Sequence, residues 1–164
     1  MKNIQVAILM GSDSDYPVMQ KAEETLKEFE VNSETRILSA HRTPKHTVQF
    51  IKAAEKAGAK IFIAGAGGAA HLPGIVAAHT ILPVIGVPIL SKATNGLDSL
   101  LSIVQMPSGV PVATVALDGS KNAALLAVQI LAISDPALSK KLIDFKKKME
   151  KEVLNKNKMF HKNR

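Results

Sequence analysis

His41 and Arg42 are adjacent, and together they offer a side chain that can move a proton and one with a fixed positive charge. A histidine ring changes charge near neutral pH, so it can both donate and accept a proton. The planar guanidinium of arginine binds phosphate through two parallel hydrogen bonds. A histidine on its own is usually structural, so this pair has two readings: a structural pair, or a site that binds a phosphate and transfers a proton.

Residues 11–15 carry two hydroxyl groups, on Ser12 and Ser14, between an apolar run and a helical pattern. Backbone N–H groups at a helix N-terminus bind phosphate, and these hydroxyls can add donors. Asp15 can accept hydrogen bonds from the hydroxyls of a ribose. The alternative is that Ser14 or Asp15 only caps the helix. A magnesium site at Asp13 and Asp15 is disfavoured because no further acidic partners lie nearby in the sequence.

Residues 65–70 match the G-x-G-x-x-A pattern of dinucleotide-binding loops. The acidic residue expected about 20 positions later is missing, and Pro73 interrupts the long helix that should follow. We therefore predict a tight loop in which Gly67 and Gly68 let a ligand approach the backbone. His71 follows this loop and either touches the ligand or packs. Because no metal-ligand spacing, phosphate-binding lysine loop or nucleophile motif occurs, we expect no metal, no cofactor and no covalent intermediate.

Apolar runs and helical patterns alternate along the chain. The runs at 4–10, 34–38, 60–64, 84–87 and 111–116 predict five strands, and helices are predicted at 16–29, 44–58, 73–80, 96–104 and 122–133. Thr43 is predicted to cap the second helix, and a last, charged helix to begin at Pro136. Alternating strands and helices indicate a parallel, doubly wound α/β sheet. The order 2-1-3-4-5 allows right-handed crossovers and places the polar second strand at an edge.

The candidate residues all follow strands of this predicted sheet. Ligands of such sheets bind outside the carboxyl ends of the strands, where the strand order reverses. Four loops lie there, at residues 11–15, 39–44, 65–71 and 88–91. The segments with unusual chemistry therefore converge on one edge of one sheet, which favours a functional role for them.

The net positive charge of the chain lies in its last 29 residues. Of 164 residues, those from 136 to 164 hold ten Lys or Arg and three Asp or Glu, a net charge of +7, whereas residues 1–135 have a net charge of zero. We predict a single catalytic domain over residues 1–164, of which 136–164 form a basic helix and tail. The tail either contacts nucleic acid or is a solvated helix face. The second reading is favoured because aromatic residues do not alternate with the lysines, so no nucleic-acid partner is expected.

The rest of the composition excludes several classes of protein. The chain has no cysteine, so disulfides, zinc–thiolate sites and thiol nucleophiles are excluded. Residues 61–91 lack Asp, Glu, Lys and Arg, but glycines and prolines divide them into pieces too short to cross a membrane. We expect this stretch to be buried in the core or between subunits. No signal peptide precedes the first apolar run, so we expect a cytoplasmic protein.

Five segments, in order, resemble the PurE family. They are residues 11–15 (GSDSD), 39–44 (SAHRTP), 64–74 (AGAGGAAHLPG), 98–107 (DSLLSIVQMP) and 122–127 (NAALLA). The resemblance extends over about residues 4–155. Residues 117–121 form a shorter loop than in some family members, and no functional residue is assigned there.

The resemblance implies a flavodoxin-like three-layer sandwich that assembles as an octamer. It also implies a class I enzyme of purine biosynthesis, which converts N5-carboxyaminoimidazole ribonucleotide into 4-carboxy-5-aminoimidazole ribonucleotide without ATP or metal. Residues 65–78 and 122–133 are apolar enough to be covered by other subunits. Two alternatives stay open: a carboxylase of the same family that uses dissolved carbon dioxide, and a nucleotide-binding module without catalysis.

The family's catalytic histidine corresponds to His41, which is implied to protonate the departing nitrogen and later to remove the C4 proton. Its phosphate- and ribose-binding residues correspond to Ser12, Asp15 and Arg42. Arg42 after the histidine, and His71, resemble the class I enzymes. The remaining predicted substrate-binding residues are Ser14, Ser39, Gly67, Gly68 and His71.

Overall fold

The computed structural model of the chain describes residues 3–162. It contains two compact units, Met1–Ala127 and Val128–Arg164. The first unit holds the sheet and all the candidate residues, and the second holds the basic helix. That residues 1–164 act as one catalytic domain stays a prediction.

The first unit is built on a five-stranded sheet whose strands pair in parallel. Its strands are β1 (Val6–Met10), β2 (Ser33–Ile37), β3 (Ile61–Gly67), β4 (Val84–Ile89) and β5 (Ala113–Thr114). They lie in the order β2-β1-β3-β4-β5, which confirms the predicted topology and the edge position of the polar second strand. The order reverses between β1 and β3, so the loops after these strands meet at one place.

Helices connect the strands, and the three of these whose first turn holds a proline begin within one residue of the predicted start. The helices are a short 3₁₀ helix (Asp13–Asp15), α1 (Tyr16–Glu28), α2 (Pro44–Lys56), α3 (Leu72–Ala78) and α4 (Leu97–Val104), followed by α5 (Ser120–Ala132) and α6 (Pro136–Lys162). A proline stands in the first turn of α1, α2 and α3, where its missing N–H leaves no helical hydrogen bond unmade.

The sheet of the first unit is covered on both faces, as expected for the flavodoxin-like fold. On one face Leu9 and Phe62 belong to the same buried cluster as Phe50 of α2. Side chains alternate along a strand, so Gly65 of β3 faces the opposite side from Phe62. There a methyl group at Gly65 would collide with the Met19 sulfur of α1. Glycine at this position therefore lets α1 pack directly on β3.

Four strands differ in length from the prediction: β1 begins at Val6 instead of residue 4, β4 runs to Ile89 instead of ending at residue 87, and β3 and β5 also differ. β3 runs to Gly67 instead of ending at residue 64, because Gly65 and Gly67 continue the pairing with β4. The turn begins only at Gly68, which has a left-handed φ of 61°. β5 covers only two residues instead of 111–116, and the proline at 111 has no N–H to extend the pairing.

The second unit contains the end of α5 and the whole of α6. Asp135 accepts hydrogen bonds from the N–H groups of Ala137 (2.9 Å) and Leu138 (3.1 Å), which explains why α6 begins at Pro136 as predicted. Every described residue from 151 onward is exposed. No helix within residues 3–162 is both long and apolar enough to span a membrane.

Candidate active site

A cavity of about 420 Å³ lies at the carboxyl edge of the sheet and is formed by the loops after β1, β2 and β3. Seven of the nine predicted site residues line it: Ser12, Asp15, Ser39, His41, Arg42, Gly67 and His71. Ser14 and Gly68 do not line it, and neither does the loop after β4. The predicted site residues did not include Ala66, Ala69 and Ala70, which contribute an apolar wall from the uncharged stretch 61–91. Their place within the glycine-rich motif was the available signal.

The rings of His41 and His71 are in direct contact inside this cavity. His41 Nε2 lies 2.6 Å from His71 Nδ1, and the two ring planes meet at 83°. A hydrogen bond between two ring nitrogens needs one donor and one acceptor, so at least one of the rings is neutral while the contact exists. The pair can therefore hold and release a proton at one place.

Arg42 connects the loops after β1 and β2. Its Nη2 donates to the carbonyl oxygen of Gly11 at 2.7 Å, and its Nε donates to Ser39 Oγ at 3.4 Å. The backbone N–H of Arg42 also donates to Ser39 Oγ, at 3.2 Å. A guanidinium has five N–H groups, and these bonds within the described chain use two of them, so the others can meet an anion.

The loop after β1 forms a capping arrangement. Ser12 is the N-cap of the 3₁₀ helix: its Oγ accepts the N–H of Ser14 at 3.3 Å, and its own N–H donates to Asp15 Oδ2 at 3.2 Å. The predicted alternative named Ser14 or Asp15 as the cap. Asp15 is the N-cap of α1 by position but makes no side-chain capping bond, and the side-chain cap of the 3₁₀ helix is Ser12. A ligand at Ser12 would meet a hydroxyl that also donates to Asp13 Oδ1 at 3.0 Å.

Asp15 is half-buried and lines the cavity. Burial raises the pKa of its carboxyl group above the usual value. Hydrogen bonds from Ser12, Ser14 and Gly11, and the positive charge of Arg42, act against this rise without cancelling it. Within residues 3–162 no three or more His, Cys, Asp or Glu residues are grouped so that they could hold a metal ion.

A second cavity of about 460 Å³ adjoins the first. Gly11, Ser12, Ser39 and Arg42 line both cavities, whereas Asp13, Ile37 and Thr43 line only the second. Arg42 is therefore accessible from both sides. A ligand with two parts, one near the histidines and one beyond Arg42, would fit this arrangement.

The fold and the cavity define an α/β protein of the class whose small-molecule sites lie at the carboxyl edge of a parallel sheet. A family model described as AIR carboxylase matches residues 5–152. The chain is 61% identical over 153 residues to the N5-carboxyaminoimidazole ribonucleotide mutase of Pyrococcus horikoshii, covering 93% of this chain and 86% of that protein. It is 57% identical over 152 residues to the mutase of Thermotoga maritima, covering 93% and 89%.

A solved structure shows the same likeness. The crystal structure of Treponema denticola PurE matches with a TM-score of 0.85 and 32% identity, over 92% of this chain and 94% of that one. The chain therefore belongs to the AIR carboxylase family, the PurE family that its motifs indicate.

Proposed function

We propose that the protein is an N5-carboxyaminoimidazole ribonucleotide mutase of purine biosynthesis. The observation that carries the proposal is the cavity that joins the His41–His71 pair to Arg42, in a chain 61% identical to a mutase. A proton-transfer pair beside an anion-binding side chain suits a reaction on a phosphorylated sugar.

The proposed reaction needs one proton carrier that acts twice. The bond between N5 of the substrate and the carboxyl carbon breaks while His41 donates a proton to N5. Carbon dioxide remains in the cavity. C4 then forms a bond to that carbon, and neutral His41 takes the C4 proton, which restores its starting state. The small apolar side chains of Ala66, Ala69 and Ala70 suit the uncharged intermediate.

The remaining site residues are proposed to bind the ribonucleotide. Ser12 and Arg42 contact the phosphate, and Asp15 contacts the ribose. The other proposed substrate-binding residues are Ser14, Ser39, Gly67, Gly68 and His71. Ser14, which lies outside the cavity lining, would act through its 3.4 Å hydrogen bond to Asp15 Oδ1.

Isotope labelling tests the chemistry directly. Substrate with ¹³C in its N5-carboxylate should give product that keeps most of the label, because the carboxyl carbon moves within the cavity. The reaction is run with excess unlabelled bicarbonate and carbonic anhydrase, and early product is analysed by mass spectrometry.

The substrate also loses its carboxyl group without enzyme, so a reaction without protein supplies the background to subtract. Unlabelled early product would replace the mutase by a carboxylase that takes dissolved carbon dioxide. Substrate that binds and is recovered unchanged would identify a binding module instead.

Assembly into an octamer belongs to the same proposal, and exposed apolar side chains support subunit contacts. In the two segments predicted to form these contacts, Ile75 and Ile133 are exposed. A clearer stripe lies on α4, where Leu97, Leu101 and Val104 are 54%, 46% and 50% exposed. Their spacing of four and three residues places them on one side of the helix.

Light scattering of the wild-type protein should therefore give a mass near eight chains. Leu101→Lys should lower this mass, because a charged side chain would be buried between subunits. Circular dichroism checks that the variant is folded. A stable wild-type monomer at micromolar concentration would contradict the proposed assembly.

Two further expectations remain predictions from the sequence. We place the protein in the cytoplasm, where purine biosynthesis would supply its substrate. We also expect the basic residues of 136–164 to form a solvated helix face that binds no nucleic acid; in the second unit, described residues 151–162 are all exposed.

A further inference from the structure

The hydroxyl group of Thr43 faces away from the helix that this residue begins. Thr43 is the N-cap of α2, with φ −134° and ψ 48°, but its side chain makes no capping bond. An N-cap hydroxyl ordinarily accepts an N–H of the first helical turn. Here Oγ1 accepts the N–H of Ser39 at 2.9 Å and donates to the carbonyl oxygen of Ser39 at 3.0 Å. The predicted cap is therefore correct in position but not in its hydrogen bond.

These bonds close the loop that carries the proposed proton carrier. The backbone N–H of Thr43 also donates to the carbonyl oxygen of Ser39, at 2.9 Å. Three hydrogen bonds thus join Ser39 to Thr43. We call the segment Ser39–Thr43, closed by these bonds, the Thr43 clasp. His41 and Arg42 lie within it and are exposed.

The clasp is attached to the interior of the protein by Thr47. Thr47 is fully buried, and its Oγ1 donates to the carbonyl oxygen of Thr43 at 3.0 Å. The Thr47 backbone N–H reaches the same oxygen at 3.0 Å. An exposed loop is thereby fixed to the buried side of α2, although loops with exposed side chains are ordinarily mobile.

We propose that Thr43 is a positioning residue for His41, acting through the Ser39 backbone. The inference rests on the proposed function, in which His41 carries the proton. His41 must reach two reacting atoms in turn and also contacts His71, so a small shift of its backbone would misplace its Nε2. Arg42 depends less on the clasp, because its 2.7 Å bond to Gly11 ties it to another loop.

Three variants test this role. Thr43→Val keeps the shape of the side chain and removes the hydroxyl, Thr43→Ser keeps the hydroxyl, and Thr25→Val is the matched control. Thr25 is buried, whereas Thr43 is partly buried, and it likewise donates to a backbone oxygen, Lys21 O at 2.7 Å; it lies in α1 outside both cavities.

Thr43→Val should lower kcat by about 10- to 100-fold, the scale of a small misplacement of a reacting group. KM should change less than kcat, although Thr43 lines the second cavity, because Arg42 keeps its bond to Gly11. Thr43→Ser should restore most of kcat, and Thr25→Val should leave it unchanged. If Thr43→Val does not fold, Thr43→Ala replaces it with the same expected result.

A measurement without substrate separates this inference from the proposed function. In protein labelled with [¹³Cε1]-histidine, Thr43→Val should shift the His41 signal and leave those of His79 and His161 in place. His41→Asn assigns the signal. Wild-type protein without mutase turnover would refute the proposed function, while the spectra would still report on the clasp. Wild-type kcat in folded Thr43→Val, an unshifted His41 signal, or failure of Thr43→Ser to restore kcat would overturn the inference.

Discussion

Replacement of His41 by asparagine should leave a folded protein that binds the ribonucleotide and turns it over about 10²–10⁴-fold more slowly. Asparagine can still form hydrogen bonds in the cavity, but it cannot gain and lose a proton near neutral pH. Both proposed proton transfers use His41, so the loss should appear in kcat. Steady-state kinetics and calorimetric binding of the product measure the two effects separately.

His79→Asn is the matched control for this prediction. His79 is exposed at the end of α3 and lies outside both cavities, so its replacement should leave kcat unchanged. Near-normal turnover by folded His41→Asn would remove His41 from the mechanism. His71 would then be the candidate proton carrier, since its ring occupies the same cavity.

Much of the fold follows from the pattern of apolar residues, because a parallel sheet covered on both faces leaves a distinctive signature. β3 and β4 are almost entirely buried and appear in the sequence as uninterrupted apolar runs. The polarity of β2 predicted its edge position correctly. The end of β3 could not be predicted, because Gly65 is typical of a turn until the packing of Met19 against it is known.

The composition of the site was also predictable, because the carboxyl ends of parallel strands meet at one edge. The fold brings His41, Arg42, Ser12 and Asp15 into one cavity, as the sequence predicted. The hydrogen bonds were not predictable. His41 and His71 are 30 residues apart, and their contact depends on two side-chain orientations that the sequence does not encode locally.

The position of the exposed apolar surface was not predictable from the sequence either. Residues 122–133 look apolar on every side in the sequence, but Ala123, Ala124 and Val128 are buried within the chain. The exposed stripe lies on α4, where three of the apolar side chains face outward. Composition measures how much apolar surface exists, whereas the fold decides which part is left for another subunit.

Replacement of Arg42 by alanine should weaken ribonucleotide binding by about 10- to 150-fold, the equivalent of about 1.5–3 kcal/mol for a hydrogen bond to a charged group. Part of this loss comes from the loops, because Arg42 joins Gly11 to Ser39. Arg42→Lys should restore binding only in part, since an ammonium group keeps the charge and loses the planar fork. Isothermal titration calorimetry measures the affinity of the wild-type protein, Arg42→Ala and Arg42→Lys for the product.

Competition by inorganic phosphate distinguishes a direct contact from a loop effect. Phosphate should weaken product binding to the wild-type protein, and this competition should largely disappear in Arg42→Ala if the guanidinium holds the phosphate. Lys45→Ala is the control because it removes the same unit of charge. Lys45 is an exposed cation in the first turn of α2 and lies outside both cavities. It should leave both affinities unchanged at physiological salt. Product binding as tight in Arg42→Ala as in the wild type would show that the phosphate lies elsewhere. Weakened binding with undiminished phosphate competition would instead make Arg42 a link between the two loops.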